Sequence, residues 1–419
     1  MTRQTPFQGL KRIWKTLGPG LITGASDDDP SAITTYSQAG AKYGLTTLWT
    51  AIIAYPVLAI LQEMCARIGI VTQKGLAGVI KTYYPPWILW VLIVLSCPAF
   101  LLNIGADIAI LGETGNLLFP KIPALYCSIG LSAILYILIL LLPYKKLAAV
   151  MKLICLSLLV YTIVPFLSLQ NPALIFRSTW IPRFQFDKDF VLIIIGITGA
   201  IISPYIFFWQ ASSEAEEMAA GCLRGKRIKQ YSFLLMRKDI LAGAFFAVLI
   251  MYFIILTTGT ILHDHGVRNI ETVKDAALAL RPLAGKLSYI LFSIGIIGTG
   301  FLIIPVLSTS ISYILLESFG GKPGPVKTPK EGRLFYVIIA VAMAFGISMH
   351  WMHINSVKAL LFTTMLYGIT APFIIGIILH IANNPKIMGE FRNNRISNFV
   401  GVITLLLMLC SLTMLLLFF

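Results

Sequence analysis

Apolar runs of roughly 20 residues recur along the whole chain, separated by short stretches rich in charge, proline or glycine, and about 20 residues is what an α-helix needs to cross a bilayer. Eleven such runs can be placed, near 16–41, 45–68, 87–112, 122–143, 147–168, 188–216, 239–262, 285–317, 334–350, 357–381 and 397–418. Two are interrupted. The first carries Asp27-Asp28-Asp29-Pro30 near its middle, and the sixth carries Ser203-Pro204-Tyr205. A carboxylate at the centre of a spanning helix costs about 2.5–3.5 kcal/mol on insertion scales, and proline frees backbone groups that lipid cannot satisfy. Such breaks are expected to line a cavity and to mark a binding site.

The interrupted spans lie five apart, so 16–168 and 188–381 read as two copies of one unit. An odd number of spans inverts the second copy, and 397–418 falls outside the repeat. The expected fold is an all-α polytopic membrane protein of about 11 transmembrane helices in one transmembrane domain over 1–419, with an inverted 5+5 repeat (LeuT/APC-like) and broken helices 1 and 6. Unwound carbonyls and half-helix C-termini carry partial negative charge, so with three aspartates at one break the site suits a cation.

Composition supports this picture. Of 419 residues, 57% are hydrophobic and 12% charged, with a mean hydropathy of +0.84, which excludes an ordinary soluble domain. The net charge of +15 invites a nucleic-acid partner, but 23 of the 33 lysines and arginines fall in alternate loops on the side of the N-terminus. That distribution follows the positive-inside rule, so the N-terminus is expected in the cytoplasm, the chain in a cell membrane (the inner membrane of a bacterium), and no nucleic acid is expected as partner. Lys11, Arg12 and Lys15 resemble a signal-peptide start, yet the span after them is long and acidic, and no cleaved signal is expected. The six cysteines form no CxxC pair and read as packing residues. No HExxH-like zinc motif or nucleophile–base pair lies at depth, so the chain is not read as an enzyme. An amino-acid transporter on the same scaffold would need free amides for a carboxylate, where this site is crowded with aspartates.

The first two spans resemble the NRAMP family of divalent-metal transporters. Gly18-Pro19-Gly20, Asp29-Pro30, Gln38-Ala39-Gly40-Ala41, Tyr43-Gly44 and Ala66-Arg67-Ile68-Gly69-Ile70-Val71-Thr72 stand at the family's spacing, and Gly199-Ala200-Ile201-Ile202-Ser203-Pro204-Tyr205 aligns with its Gly-Ala-x-x-Met-Pro-His. The resemblance extends over spans 1–10, more weakly after span 7. It implies that the ion is held by Asp29 and the backbone carbonyl of Ala200. The family's asparagine position is Ala32 and its methionine position is Ser203. A thioether favours softer ions such as Mn²⁺, Fe²⁺ and Cd²⁺, whereas an all-oxygen site with waters suits hard ones. In that respect the chain looks like the NRAMP-related magnesium transporters.

The resemblance also places coupling histidines of the family at Tyr205 and Gln210, and its helix-3 acids at Asp107 and Ile110, so uncoupled transport of Mg²⁺ and also Mn²⁺ into the cytoplasm is the first expectation. The alternative is a proton-coupled Mn²⁺/Fe²⁺ importer. These ions are cargo, and no cofactor is expected. No oligomeric state is assigned, and a monomer satisfies the pattern.

Other polar residues follow from spacing. Asp27, Asp28 and Asp29 point in different directions on a helix, so at most one besides Asp29 is expected to face the ion directly. Ser203 ligates directly, through water, or only leaves space. Tyr205 and Gln210 either face the same cavity or bond between helices. Asn103 and Asp107, four apart, share a helix face and serve as an interhelical brace or in the permeation path. Thr370 is a further site candidate. Glu214, Glu216 and Glu217 read as a solvated helix end or as an attraction for cations near an exit, and His263-Asp264-His265 as a solvated turn.

Overall fold

The computed structural model describes residues 23–24, 26–141, 162–163, 171–185, 187–220, 226–278, 285, 288–320, 332–349 and 355–418. Among these, eight helices are long and apolar enough to cross a membrane. The expected span 147–168, most of the first half of span 1, Cys155, Cys222 and the basic loop 321–331 lie outside the described residues.

The chain runs as α1 (Pro30–Tyr43), α2 (Thr50–Thr72), α3 (Leu76–Tyr83), α4 (Pro86–Leu118), α5 (Ala124–Leu141), α6 (Pro172–Trp180), α7 (Lys188–Ile201) and α8 (Pro204–Ala220). It continues through α9 (Lys226–Ile261), α10 (Val273–Leu278), α11 (Ser288–Phe319), α12 (Arg333–Ser348), α13 (Ser356–Asn383), α14 (Pro385–Met388), a 3₁₀ turn and α15 (Arg395–Phe418). Both breaks are present: helix ends at Asp27 and resumes at Pro30, and ends at Ile201 and resumes at Pro204. In each case proline takes the first position of the new half-helix, where its missing N–H costs nothing.

Around the breaks, α1 packs against α7, α9 and α13, and α8 against α2 and α11, while α4 lies against α5, α11, α12 and α13. The outermost helix, α15, covers α13, α7 and α2 and turns Leu406, Leu407, Leu409 and Leu417 outward. Exposed Trp87 and Trp90 ring one end of the bundle and Tyr126, Phe176 and Trp180 the other, the belts expected at membrane interfaces. The end that holds α3 and the last turns of α8 is the basic end.

Several motif residues serve packing. Gly44, at φ +59°, closes α1 by donating its N–H to Gly40 O, a conformation that favours glycine. Gln38 fastens α1 to the segment before α10, accepting from Ile270 N at 2.8 Å. Lys42 pairs with Asp189 at 2.6 Å and Tyr43 donates to Asp187 at 2.9 Å, which ties the end of α1 to the start of α7. The Phe190 amide and Tyr43 hydroxyl hold the Asp187 carboxyl below the usual carboxylate range. Arg67 pairs with Glu63 and bonds Asn393, which anchors α2 to the segment before α15.

Gly69 sets the distance between α2 and α8, because a Cβ there would lie 2.1 Å from Ala211 O. Close approach of small residues is how membrane helices gain packing without a hydrophobic driving force. Gly69→Ala is therefore expected to destabilise the fold by about 1–3 kcal/mol, the usual cost of overpacking, read as a lower thermal midpoint in detergent.

Candidate functional site

The first break turns three consecutive carboxylates into the protein. Asp27, Asp28 and Asp29 are 2%, 1% and 1% exposed. Asp29 is the N-cap of α1: its Oδ1 accepts from Ala32 N at 2.6 Å and from Ser31 Oγ at 2.5 Å. Its Oδ2 accepts from Asn103 Nδ2 of α4 at 3.1 Å and from Tyr205 Oη of α8 at 3.4 Å, and Tyr205 also donates to Ser26 O. One carboxylate thus gathers both broken helices and α4. Asn103 is held in turn, its Oδ1 accepting from Thr363 Oγ1 of α13 at 2.8 Å.

Asp29 is fully satisfied by these donors, so its burial does not by itself call for an ion. The vacant acceptors belong to its neighbours. Asp27 Oδ1, Asp28 Oδ2 and both oxygens of Asp107 are buried with no hydrogen-bond partner among the described residues. Asp107 lies one turn from Asn103 on α4, is wholly buried, and interacts electrostatically with Asp29. Among the described residues no ion pair involves any of the four aspartates. Removing an unpaired charge from water costs several kcal/mol, so the three carboxylates with open acceptor positions, beside the satisfied Asp29, are a standing demand for cations or protons.

The second break supplies oxygen as well. Ser203 Oγ donates to Ala200 O at 2.7 Å, which caps the frayed end of α7 and leaves the hydroxyl lone pairs free to accept. The carbonyl expected to hold the ion is therefore bonded to the Ser203 hydroxyl. Phe100 meets Tyr205 and Tyr367 edge-on with centroids 6.0 Å away, the two tyrosines are tilted against each other at 5.8 Å, and the three rings form an aromatic wall beside Asp29. Among the described residues no three His, Cys, Asp or Glu side chains converge as a ready-made metal cage.

Asp27, Asp28, Asp29, Ser203, Tyr205, Asn103 and Asp107 thus come together at the two breaks. Thr370 and Gln210 bond elsewhere. Thr370 donates to Tyr367 O on its own helix, and Gln210 bonds Thr23 and Glu214 instead. Glu214 is 6% exposed, so the solvated-end reading of it is corrected: α2 and α11 cover that part of α8. Ser31, Thr363 and Tyr367 belong to the site and were missed. Ser31 was legible in principle as a hydroxyl two residues after the capping aspartate, whereas Thr363 and Tyr367 come from a span with no break to mark it. His263 bonds Ala41 O and Arg268, in a turn with no third ligand. His350 and His353 lie outside the described residues.

Comparison with known proteins matches this arrangement to one family over nearly the whole chain. The model of the "Natural resistance-associated macrophage protein-like" family, Nramp, matches residues 20–418. The divalent metal cation transporter MntH of Caldanaerobacter subterraneus subsp. tengcongensis is 24% identical over 403 residues, covering 94% of this chain and 90% of that protein. A crystal structure of the Eremococcus coleocola manganese transporter, in complex with an aromatic bis-isothiourea substituted compound, superposes with a TM-score of 0.76 at 19% identity, over 99% of this chain and 88% of the other. A nucleobase-cation-symport-1 family transporter in a closed conformation shares the fold more distantly, with a TM-score of 0.54 at 11% identity over 96% and 92% of the two chains. With the family model spanning both breaks and every described helix, the chain belongs to the Nramp family.

Proposed function

We propose that this protein carries divalent metal cations across a membrane by alternating access around Asp29. The observation that carries the reading is the group of four buried aspartates at the first break and on α4; among the described residues, three of them have unpartnered oxygens and none pairs with lysine or arginine. A cation entering this group meets carboxylates, a serine hydroxyl and water, a donor set that binds divalent ions without fully dehydrating them. The breaks at 28–29 and 202–203 support two inverted repeats, near 16–168 and 188–381, about that site. The charge bias supports a cytoplasmic N-terminus in a bacterial inner membrane.

For the cargo, the relatives favour the alternative over the Mg²⁺ reading. The Eremococcus coleocola protein is a manganese transporter and the Caldanaerobacter protein a divalent metal cation transporter. Proton-coupled import of Mn²⁺ or Fe²⁺ is accordingly the first reading. Asp107 supports coupling, since its partnerless carboxylate one turn from Asn103 offers a place for a proton beside the ion. Asp107→Asn is expected to remove the lumenal acidification that accompanies Mn²⁺ uptake into proteoliposomes while leaving Mn²⁺ binding in place. Unchanged acidification would exclude Asp107 from coupling.

A second reading, uncoupled passage of Mg²⁺, rests on one specific observation. The position of the family's soft ligand holds Ser203, whose oxygen cannot discriminate against hard ions. Parallel Mn²⁺ and Mg²⁺ flux assays with internal pH recorded separate the two.

A further inference from the structure

On the basic-end side of the break, α8 carries Gln210, Ser213, Glu214 and Glu217. Spacings of three, four and seven residues put all four within an arc of about 100° on one face of the helix. Gln210 is wholly buried, Ser213 is 3% exposed and Glu214 6%. Gln210 joins this stripe to the broken first helix: its Oε1 accepts from Thr23 Oγ1, and its Nε2 donates to Glu214 Oε1 at 2.9 Å. Across from the stripe, Asp239 of α9 is 4% exposed, and both it and Glu217 act electrostatically on Glu214. Among the described residues no lysine or arginine pairs with Glu214. An apolar cluster of Ala66, Ile70, Met218, Met236 and Ile240 borders the group.

Ser213 supplies an independent sign of a ligand. A serine inside a membrane helix ordinarily returns its hydroxyl to a carbonyl three or four residues back. Ser308, Ser310 and Ser312 do so in this protein, whereas Ser213 does not, nor do Ser96, Ser293 and Ser318. The Ser213 hydroxyl is buried within the same arc of α8 as Glu214 and has no hydrogen-bond partner among the described residues. A buried hydroxyl left without a partner costs about 1–3 kcal/mol, which a bound ion or its water would recover.

We propose that Ser213 and Glu214, oriented by Gln210 and faced by Asp239, form a second station for a divalent cation, separate from the Asp29 group and nearer the basic end. Glu214 stands 11 residues after Ser203, about 16 Å along the helix. An ion leaving Asp29 toward the basic end therefore meets a second pair of carboxylates before bulk water. The donors are all oxygen and few, so the ion keeps most of its waters there. Repulsion between ions at two stations would speed release of the one farther along, as in multi-site pathways. The inference rests on the transport reading given above.

The test is Mn²⁺ binding to the full-length protein in detergent, followed by loss of the free-ion electron paramagnetic resonance signal, with flux measured in parallel. Glu214→Gln keeps the side-chain volume and a hydrogen bond to Gln210, and Asp239→Asn removes the facing charge from another helix, so the two variants do not share a folding risk. About two Mn²⁺ per chain are expected in the wild type, and about one in Glu214→Gln, Asp239→Asn and Asp29→Asn alike, with flux lowered roughly tenfold in the first two. Two Mn²⁺ retained in both Glu214→Gln and Asp239→Asn would overturn the second station. So would a single Mn²⁺ in the wild type that Asp29→Asn alone removes, and that result leaves transport through Asp29 intact. Neither binding nor flux in the wild type would overturn both readings.

Discussion

Replacing Asp29 by asparagine is expected to abolish divalent-cation flux, by at least about 100-fold, in a protein that still folds. The amide oxygen can go on accepting from Ser31 and Ala32, so the cap of α1 survives. What is lost is one negative charge at the meeting point of both broken helices. A unit charge 4 Å away interacts with about 4 kcal/mol at an effective dielectric of 20, and a dication doubles this, so a hundredfold loss is a conservative expectation. Asp29→Ala should be equally inactive but also less stable. It leaves Ala32 N, Ser31, Asn103 and Tyr205 without their shared acceptor, at about 1–3 kcal/mol for each buried donor that finds no substitute. The comparison of the two variants separates charge from architecture: inactivity with a normal thermal midpoint in Asp29→Asn assigns the loss to charge. Flux within a few-fold of wild type in Asp29→Asn would remove Asp29 from the path of the ion.

Ser203→Met is expected to shift selectivity toward soft ions, raising the ratio of Cd²⁺ to Mg²⁺ flux by about tenfold. Ser203 occupies the gap between α7 and α8, 2% exposed, with its hydroxyl on Ala200 O. Methionine there would place a polarisable sulfur at the end of a flexible chain beside the carbonyl that the serine now caps. Its bulk would also strain a buried position, typically by about 1–3 kcal/mol. Ser203→Leu adds comparable volume without sulfur and controls for that strain. If methionine and leucine change the Cd²⁺ to Mg²⁺ ratio equally, the residue at 203 does not select ions by softness. Both cargo readings make the same prediction here, since either starts from an oxygen at this position.

The two breaks were legible because they conflict with their surroundings: three aspartates and a proline inside an apolar run have no ordinary explanation in lipid. Asn103 and Asp107 were legible as a pair from their spacing. That Asn103 reaches Asp29, 74 positions earlier, follows only from the packing of α4 against the bundle. Thr363 and Tyr367 gave no signal, because a hydroxyl on an intact apolar span reads as ordinary helix packing until a neighbour is known. Hydropathy also clipped α9, which begins at Lys226 and not near 239, since its first turns are basic. It passed over α3, α6 and α10, of 8, 9 and 6 residues, because short loop helices need no long apolar run. Glu214 misled for the converse reason. A cluster of glutamates at a helix end reads as solvated, and only α2 and α11 closing over it make it buried.

The most direct test of transport through Asp29 is Mn²⁺ uptake into proteoliposomes holding the full-length protein, with internal pH recorded and Asp29→Asn in parallel. Saturable Mn²⁺ uptake that acidifies the lumen in the wild type, and falls at least about 100-fold in Asp29→Asn, is the predicted result. Mn²⁺ uptake that is absent from the wild type, or undiminished in Asp29→Asn, would contradict it.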